Sequence, residues 1–458
     1  KAMSILVLLL FFALLLIIVY GDTEKRFLSL IAGTILFANV SLFIKNPSLS
    51  PQHILLYAFI FFEYFKNGIE FRKNLLKNPL IIPLVLILFS MVASAFFNGG
   101  IVSKDMYYGV RDFVDTFSYL IVALYCGKNI AFESVPEKLW KFLIVCCILG
   151  IAEGLLNANY PYKIINSAFP YYEGLYNLNT DVSLSQDWRI RTCFTTKHPT
   201  AFGTLLVSLF FFYLPLIKTQ ILSRYKVLLL LALLAVNIVM CGSRTALLCL
   251  FFGLALLFFD KVGVVLKIII VGLMLLSFTT IMGIMMENFW ESRGAGGGSS
   301  LDYRMRQLIF SVESIADAPI FGNGNKYAAN YILQETDAGG KEAEDAYGEN
   351  MGGLESIVFT LLIDRGAVGL LTYFLLMLWM FVLLFKYRRL SEFTTSGFAL
   401  IGASFVYVIL SGVIGNSSNF FFLFSGFQLG YIALKREEAD EEMLTTENEI
   451  LESEKAKI

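Results

Sequence analysis

The residues best suited to chemistry in this sequence are arginines at the ends of apolar runs and one carboxylate at the start of another. Arg244 lies in Cys241-Gly242-Ser243-Arg244-Thr245, where Gly242 and Ser243 suit a tight turn between two apolar runs. A central Arg costs about 2.5–3.5 kcal/mol on membrane-insertion scales, so one that persists faces a wet cavity or an anion. Its planar fork of donors can grip a phosphate; the plainer alternative is an Arg snorkelling to the interface. Arg189 and Arg191 lie in Asp187-Trp188-Arg189-Ile190-Arg191-Thr192-Cys193-Phe194. In an extended stretch alternate side chains point the same way, so both could face one cavity; a surface ion pair with Asp187 is the alternative. This segment enters a helix through Lys197-His198-Pro199-Thr200-Ala201-Phe202-Gly203, with His198 a secondary candidate. Arg304 and Arg306 begin a predicted amphipathic helix. Two positions apart they do not share a helical face, so at most one points into a site and solvent exposure is the default.

Glu355 opens a further apolar run, within Gly352-Gly353-Leu354-Glu355-Ser356-Ile357. The helix dipole favours a carboxylate there, so capping alone would explain it. It also stands at the mouth of the apolar run, where an acceptor hydroxyl could reach it. Farther on, Asp364-Arg365-Gly366 interrupts the run, either as a local ion pair or with Arg365 as a secondary anion ligand; Asp112 and Asp115 are weaker polar candidates. Several guanidiniums and one carboxylate suit an anionic donor and a hydroxyl acceptor. The only histidines are His53 and His198, and no Asp-x-Asp pair or His cluster has metal-ligand spacing. We therefore expect no metal and no cofactor.

The elements that must position these residues are membrane helices. Of the 458 residues, 57% are hydrophobic and only 16% charged, against about 25% charged in ordinary globular domains. Apolar runs of the roughly 17–25 residues needed to cross a bilayer recur along the chain, and lipid gives their backbone no hydrogen-bond partner, so they must be helices. Candidates fall at 3–20, 27–44, 51–65, 79–98, 110–126, 138–157, 197–217, 226–241, 243–259, 262–286, 355–385, 397–415 and 419–434. The first reads as a retained helix, since it lacks a small-residue cleavage site; 51–65 is short enough to be re-entrant or tilted. A formal net charge of −1 gives no argument for nucleic acid. Five of the six cysteines lie in or beside apolar runs and Cys193 in a polar loop, without a disulfide or zinc pattern.

Lys and Arg crowd one set of short loops, including Lys66, Arg72, Lys73, Lys77, Lys218, Arg224, Arg388 and Arg389. The positive-inside rule assigns that set to the cytoplasm, with the C-terminus. Strict alternation then puts the N-terminus outside. The chain divides into N-terminal helices 1–157, an outer loop 158–196 with the arginine motif, central helices 197–286, a long extracytoplasmic loop 287–354, C-terminal helices 355–434 and an acidic tail 435–458. The long loop starts from the Gly/Ser-rich tract 294–300. It continues in the amphipathic helix, with Asp302 as N-cap, Leu308, Val312 and Ile315 on one face and Pro319 as stop. After the turn Gly322-Asn323-Gly324-Asn325 comes a second Gly-rich tract, 339–353; two flexible arms around a helix suggest a lid. The Glu-rich tail reads as a solvated face or a disordered segment.

Taken together these motifs resemble the O-antigen ligase and O-antigen polymerase family of bacterial envelope glycosyltransferases. Four places over residues 185–385 carry the resemblance: Arg191 to Gly203; Gly242-Ser243-Arg244-Thr245-Ala246; Arg304 ahead of Pro319-Ile320-Phe321-Gly322-Asn323-Gly324; and Glu355-Ser356 with Asp364-Arg365-Gly366. Many ligases of the family carry His-Asn where this chain has Glu355-Ser356, whereas repeat-unit polymerases often have Glu. The resemblance implies an all-α polytopic bundle, GT-C-like, of about 12–14 transmembrane helices, working on the periplasmic side of the inner membrane. It implies a polyprenyl-diphosphate-linked glycan donor and a lipid-linked repeat unit as acceptor. Arg191, Arg244 and Arg304 would hold the diphosphate and Glu355 would act as general base in a metal-independent transfer. A ligase that moves the glycan to a lipid A core or a protein is the alternative, and a lipid-linked sugar transporter is the alternative from another class. A chain-length regulator is a further partner compatible with the polymerase reading.

Overall fold

The computed structural model describes residues 2–38, 40, 49–99, 103–169, 185–186, 189–196, 198–219, 221–258, 300–328, 356–411 and 417–455. Their helices are α1 (Ala2–Tyr20), α2 (Thr23–Leu36), α3 (Pro51–Lys77), α4 (Ile81–Gly99), α5 (Lys104–Asn129), α6 (Ser134–Leu156), α7 (Tyr160–Asn166), α8 (Pro199–Tyr213), α9 (Arg224–Met240), α10 (Arg244–Phe258), α11 (Ser300–Asp317), α12 (Ile357–Lys386), α13 (Glu392–Leu410) and α14 (Ser417–Lys455). Extended pairing among these residues is confined to β1 (Ser185–Gln186) against β2 (Arg189–Ile190), antiparallel, with Gln186 opposite Arg189. The chain is an all-α polytopic membrane protein. Among the described residues six helices are long and apolar enough to cross a bilayer, namely Met3–Tyr20, Ile81–Asn98, Ser134–Leu156, Pro199–Ile217, Ile357–Lys386 and Glu392–Leu410; Arg244–Phe258 is a shorter apolar helix.

The apolar runs marked in the sequence fall on helices, with two exceptions: 262–286 lies outside the described residues, and in the run 27–44 the helix ends at Leu36, with 39 and 41–44 outside the described residues. Three local readings are corrected. The run 51–65 is the first half of a helix that continues to Lys77 through a break at Asn67 (φ −129°, ψ 32°). Of the two readings of the acidic tail the disordered one is corrected, because α14 continues unbroken to Lys455. Asp302 does not cap α11, which begins two residues earlier at Ser300.

Close packing follows from small residues facing backbone. An added Cβ on Gly127 of α5 would stand 2.0 Å from the carbonyl oxygen of Phe427, and one on Gly430 of α14 would stand 2.2 Å from that of Leu124. Membrane helices gain little from a hydrophobic drive against lipid, so this close approach is what holds α5 to α14. Phenylalanines fill the remaining space: the Phe132 ring lies 4.3 Å from Phe393 and 5.0 Å from Phe427, centroid to centroid.

At one end of the bundle Arg26 of α2 and Glu63 of α3 form a buried ion pair, 2.7 Å apart. Arg26 also donates to the carbonyls of Ile18 and Val19, while Glu63 accepts from Thr23, Asn67 and Tyr125. Each charge is satisfied, so the cost appears when one partner is removed. Glu63→Gln is expected to destabilise the protein by about 3 kcal/mol, because Arg26 is left as an uncompensated buried charge. Thermal unfolding in detergent reads this; an unchanged midpoint would show that water reaches Arg26.

Candidate functional site

The segment that carries Arg191 is laced between α6, α7 and the α9–α10 turn. Glu153, buried near the end of α6, accepts hydrogen bonds from the backbone N–H groups of Cys193 (3.0 Å) and Phe194 (2.8 Å). Asn159 caps α7 by accepting from Tyr162 N–H, and its amide donates to the Phe194 carbonyl at 2.7 Å. Phe194 has φ +51°, a conformation that costs a bulky L-residue roughly 1–3 kcal/mol unless its surroundings over-determine it. Those three hydrogen bonds and the buried ring do so. On the opposite side Thr192 N–H donates to the Met240 carbonyl (3.3 Å) and Arg191 Nε donates to the Cys241 carbonyl (3.1 Å). Burial pushes the Cys193 thiol well above its ordinary range, with the Glu153 carboxylate adding to the shift, so this loop cysteine is an inert group.

The Cys241 carbonyl belongs to the turn that launches α10. Gly242 takes φ +59° there, which glycine adopts without a Cβ penalty. Ser243 then caps α10, its hydroxyl accepting from Ala246 N–H at 3.3 Å and meeting the Thr200 hydroxyl at 3.4 Å. Thr200 stands in the first turn of α8, which His198 caps through Nδ1, accepting from Thr200 N–H at 3.1 Å. A Cβ on Gly203 would approach Ala246 Cβ to 2.5 Å, so α8 and α10 touch near their starts. Two helix N-termini therefore lie side by side, next to the turn that Arg191 grips. Aligned peptide dipoles and unsatisfied N–H groups make such ends receptive to anions. Arg244, the first residue of α10, is exposed and has no hydrogen-bond or ion-pair partner among the described residues.

Arg191, through its bond to the Cys241 carbonyl, thus lies beside the turn that leads into Arg244. The other candidates stand differently. The side chains of Arg189, Arg304 and Arg306 and the whole of Glu355 lie outside the described residues; the backbone puts Arg189 in β2 and Arg304 and Arg306 in the first turns of α11. Ser356, next to Glu355, is the N-cap of α12, which starts against the end of α13, where Ile357 N–H donates to the Ser411 carbonyl at 3.0 Å. Arg365 is already engaged, with Nε on Asn325 Oδ1 at 3.1 Å and Nη2 3.6 Å from Asp112. Asp112 also pairs with Lys326 at 3.2 Å, and Asp115 accepts from Tyr57 and from Arg111.

The loop after α11 and the break in α12 form one interlocked unit. Asn323 and Gly324 N–H donate to the carbonyls of Ile363 (2.8 Å) and Asp364 (3.1 Å), and Ala367 and Val368 N–H donate to those of Pro319 (2.9 Å) and Ile320 (3.1 Å). The Asp364 carboxylate accepts from Lys326 N–H (3.1 Å) and Ala328 N–H (2.9 Å). Gly366, at φ 65° and ψ −163°, opens the helix to admit the loop. The stop at Pro319 and the glycine turn stand where the sequence puts them. The expected face of α11 holds only at Ile315: Val312 is 59% exposed, while Ser311 and Ser314 are buried. Small serines let α11 approach closely, with Phe310 and Ile315 resting on Ile363 and Ala328. The Gly-rich arms at 294–299 and 339–353 lie outside the described residues.

Sequence reasoning missed Glu153. Its signal was a lone carboxylate in the apolar run Ile151-Ala152-Glu153-Gly154. It also treated the Pro-x-x-Gly-x-Gly turn and Asp364-Arg365-Gly366 as separate motifs. No curated protein matches the chain. Residues 228–374 do match a family model, from α9 through α11 into α12, a stretch that holds Arg244, Arg304, Glu355 and the interlock but not Arg191. That model is the O-antigen ligase family, and over this segment the chain is similar to these membrane enzymes of glycosyl transfer.

Proposed function

We propose that the chain polymerises polyprenyl-diphosphate-linked oligosaccharide repeat units at the outer face of the bacterial cytoplasmic membrane. The observation that carries the reading is the convergence of Arg191 on the turn preceding Arg244, beside the N-termini of α8 and α10. A doubly phosphorylated headgroup meets two guanidiniums and two dipole ends there, and Arg304 of α11 would complete the grip. A hydroxyl of the incoming unit attacks the anomeric carbon and gives its proton to Glu355. A new glycosidic C–O bond forms, the bond from the anomeric carbon to phosphate oxygen breaks, and the electron pair leaves on the diphosphate. Fixed positive charge lowers the barrier because negative charge grows on the leaving group in the transition state. The groups named require no metal.

A ligase is the second reading, favoured by the description of the matching family. Glu355-Ser356 in place of His-Asn favours the polymerase. Purified protein supplied with the lipid-linked repeat alone separates the two. A ladder of products supports polymerisation; no product until a lipid A core or protein acceptor is added supports ligation.

A further inference from the structure

The Glu153 carboxylate is held inside the bundle, 1% exposed, with no cationic partner among the described residues. Both oxygens are committed to backbone N–H groups, of Cys193 and Phe194, at the point where the chain turns from Arg191 toward α8. A buried carboxylate is an expensive way to satisfy two amides, since a neutral side chain could accept one of them at lower desolvation cost. What it supplies is a fixed, two-pronged clamp. The frame behind it is stiff: α6 packs on α9 with Asn237 Nδ2 donating to the Cys147 carbonyl at 3.0 Å, and a Cβ on Gly154 would strike Met240 Cε at 2.4 Å and Thr192 Cγ2 at 2.9 Å. The segment from Arg191 to Phe194 is therefore clamped on both sides, by Glu153 at Cys193 and Phe194 and by the Met240 and Cys241 carbonyls at Thr192 and Arg191.

We infer that Glu153 is a positioning residue for the diphosphate site: through the Cys193–Phe194 turn it fixes the height of Arg191 beside the N-termini of α8 and α10. The inference rests on the reading that Arg191 holds the donor diphosphate. Glu153 does not touch the substrate. Without the clamp two buried N–H groups lose their acceptors, the positive-φ turn at Phe194 relaxes, and Arg191 moves away from the corner. A displacement of about 1 Å at such a site can cost two orders of magnitude in function.

The test is a binding cycle on the full-length protein in detergent, with farnesyl diphosphate and, separately, inorganic pyrophosphate as probes, read by calorimetry. Arg191→Ala, Glu153→Ala, Glu153→Gln and the double variant Arg191→Ala/Glu153→Ala are compared, each with its thermal midpoint. Glu153→Ala is expected to weaken farnesyl diphosphate binding about tenfold or more, and Glu153→Gln, which keeps one acceptor oxygen, less. The double variant should bind no worse than Arg191→Ala, because residues that act through one another are not additive. A merely structural role predicts a lower midpoint and a smaller binding-competent fraction with unchanged affinity in the fraction that binds. That result, or a full additive loss in the double variant, overturns the inference. Should Arg191→Ala itself bind both probes like the wild type, the diphosphate reading fails and takes the inference with it. If Arg191→Ala loses binding while Glu153→Ala keeps it, only the role of Glu153 is lost.

Discussion

Arg244→Ala is expected to slow glycan transfer about 10²- to 10³-fold, the loss typical when one preorganised donor to a developing negative charge is removed. The substitution is well suited to a functional reading. Arg244 is exposed and has no partner among the described residues, so little of the fold depends on its side chain. The cap of α10 belongs to Ser243, which stays in place. Arg244→Lys should recover only part of the rate, since an ammonium keeps the charge but not the planar pair of donors that matches a phosphate. Glu355→Gln is the companion variant, with a loss of about 10²- to 10⁴-fold for a general base. Rates of product formation with a lipid-linked repeat unit are the measurement, alongside a flipping assay in vesicles. Product lost while flipping persists excludes a transporter. Wild-type product from Arg244→Ala would remove the guanidinium from the proposed mechanism.

Gly366→Ala is expected to damage the fold more than any other substitution discussed above. At φ 65° and ψ −163° the backbone occupies a region essentially reserved for glycine. The new Cβ would also stand 2.4 Å from the backbone carbon and oxygen of Ile320. Strain and overpacking together come to roughly 5 kcal/mol, at the exceptional end for one substitution. The same argument applies at Gly322, where φ is 71° and a Cβ would stand 2.3 Å from Arg365 N. The expected readout is a loss of monodisperse protein or a large fall in thermal midpoint, together with proteolytic release of the segment that follows α11. Full stability in Gly366→Ala would mean that the loop does not occupy the break in α12. The stretch from Pro319 to Ala328 is bound to α12, so any closure of the long loop must come from parts other than this anchor.

Much of this molecule was legible without coordinates, for simple physical reasons. Lipid leaves backbone groups no partner, so long apolar runs can only be helices, and most of the runs found in the sequence fall on helices among the described residues. Pro319 and the Gly322–Gly324 pair marked a helix stop and a turn, because proline removes a donor and glycine permits positive φ. Arg191 and Arg244 were picked out by residue type and by their place beside apolar runs, and the structure sets Arg191 on the turn that precedes Arg244.

What the sequence could not supply was which of these ends meet. Val312 was grouped with Leu308 and Ile315 on one apolar face, yet Val312 is 59% exposed while Ser311 and Ser314 are buried. Glu153 looked like an anomaly in an apolar run until its two amide partners, forty residues away in sequence, were in view. The sequence by itself determined the helices, their breaks and the charged groups placed at them, since these depend on local backbone chemistry and the solvent around it. Only the tertiary structure decided that Arg191 hangs on the turn before Arg244 and that the loop after α11 fills the gap at Gly366. Those pairings are long-range hydrogen bonds to backbone carbonyls, and every residue carries a carbonyl.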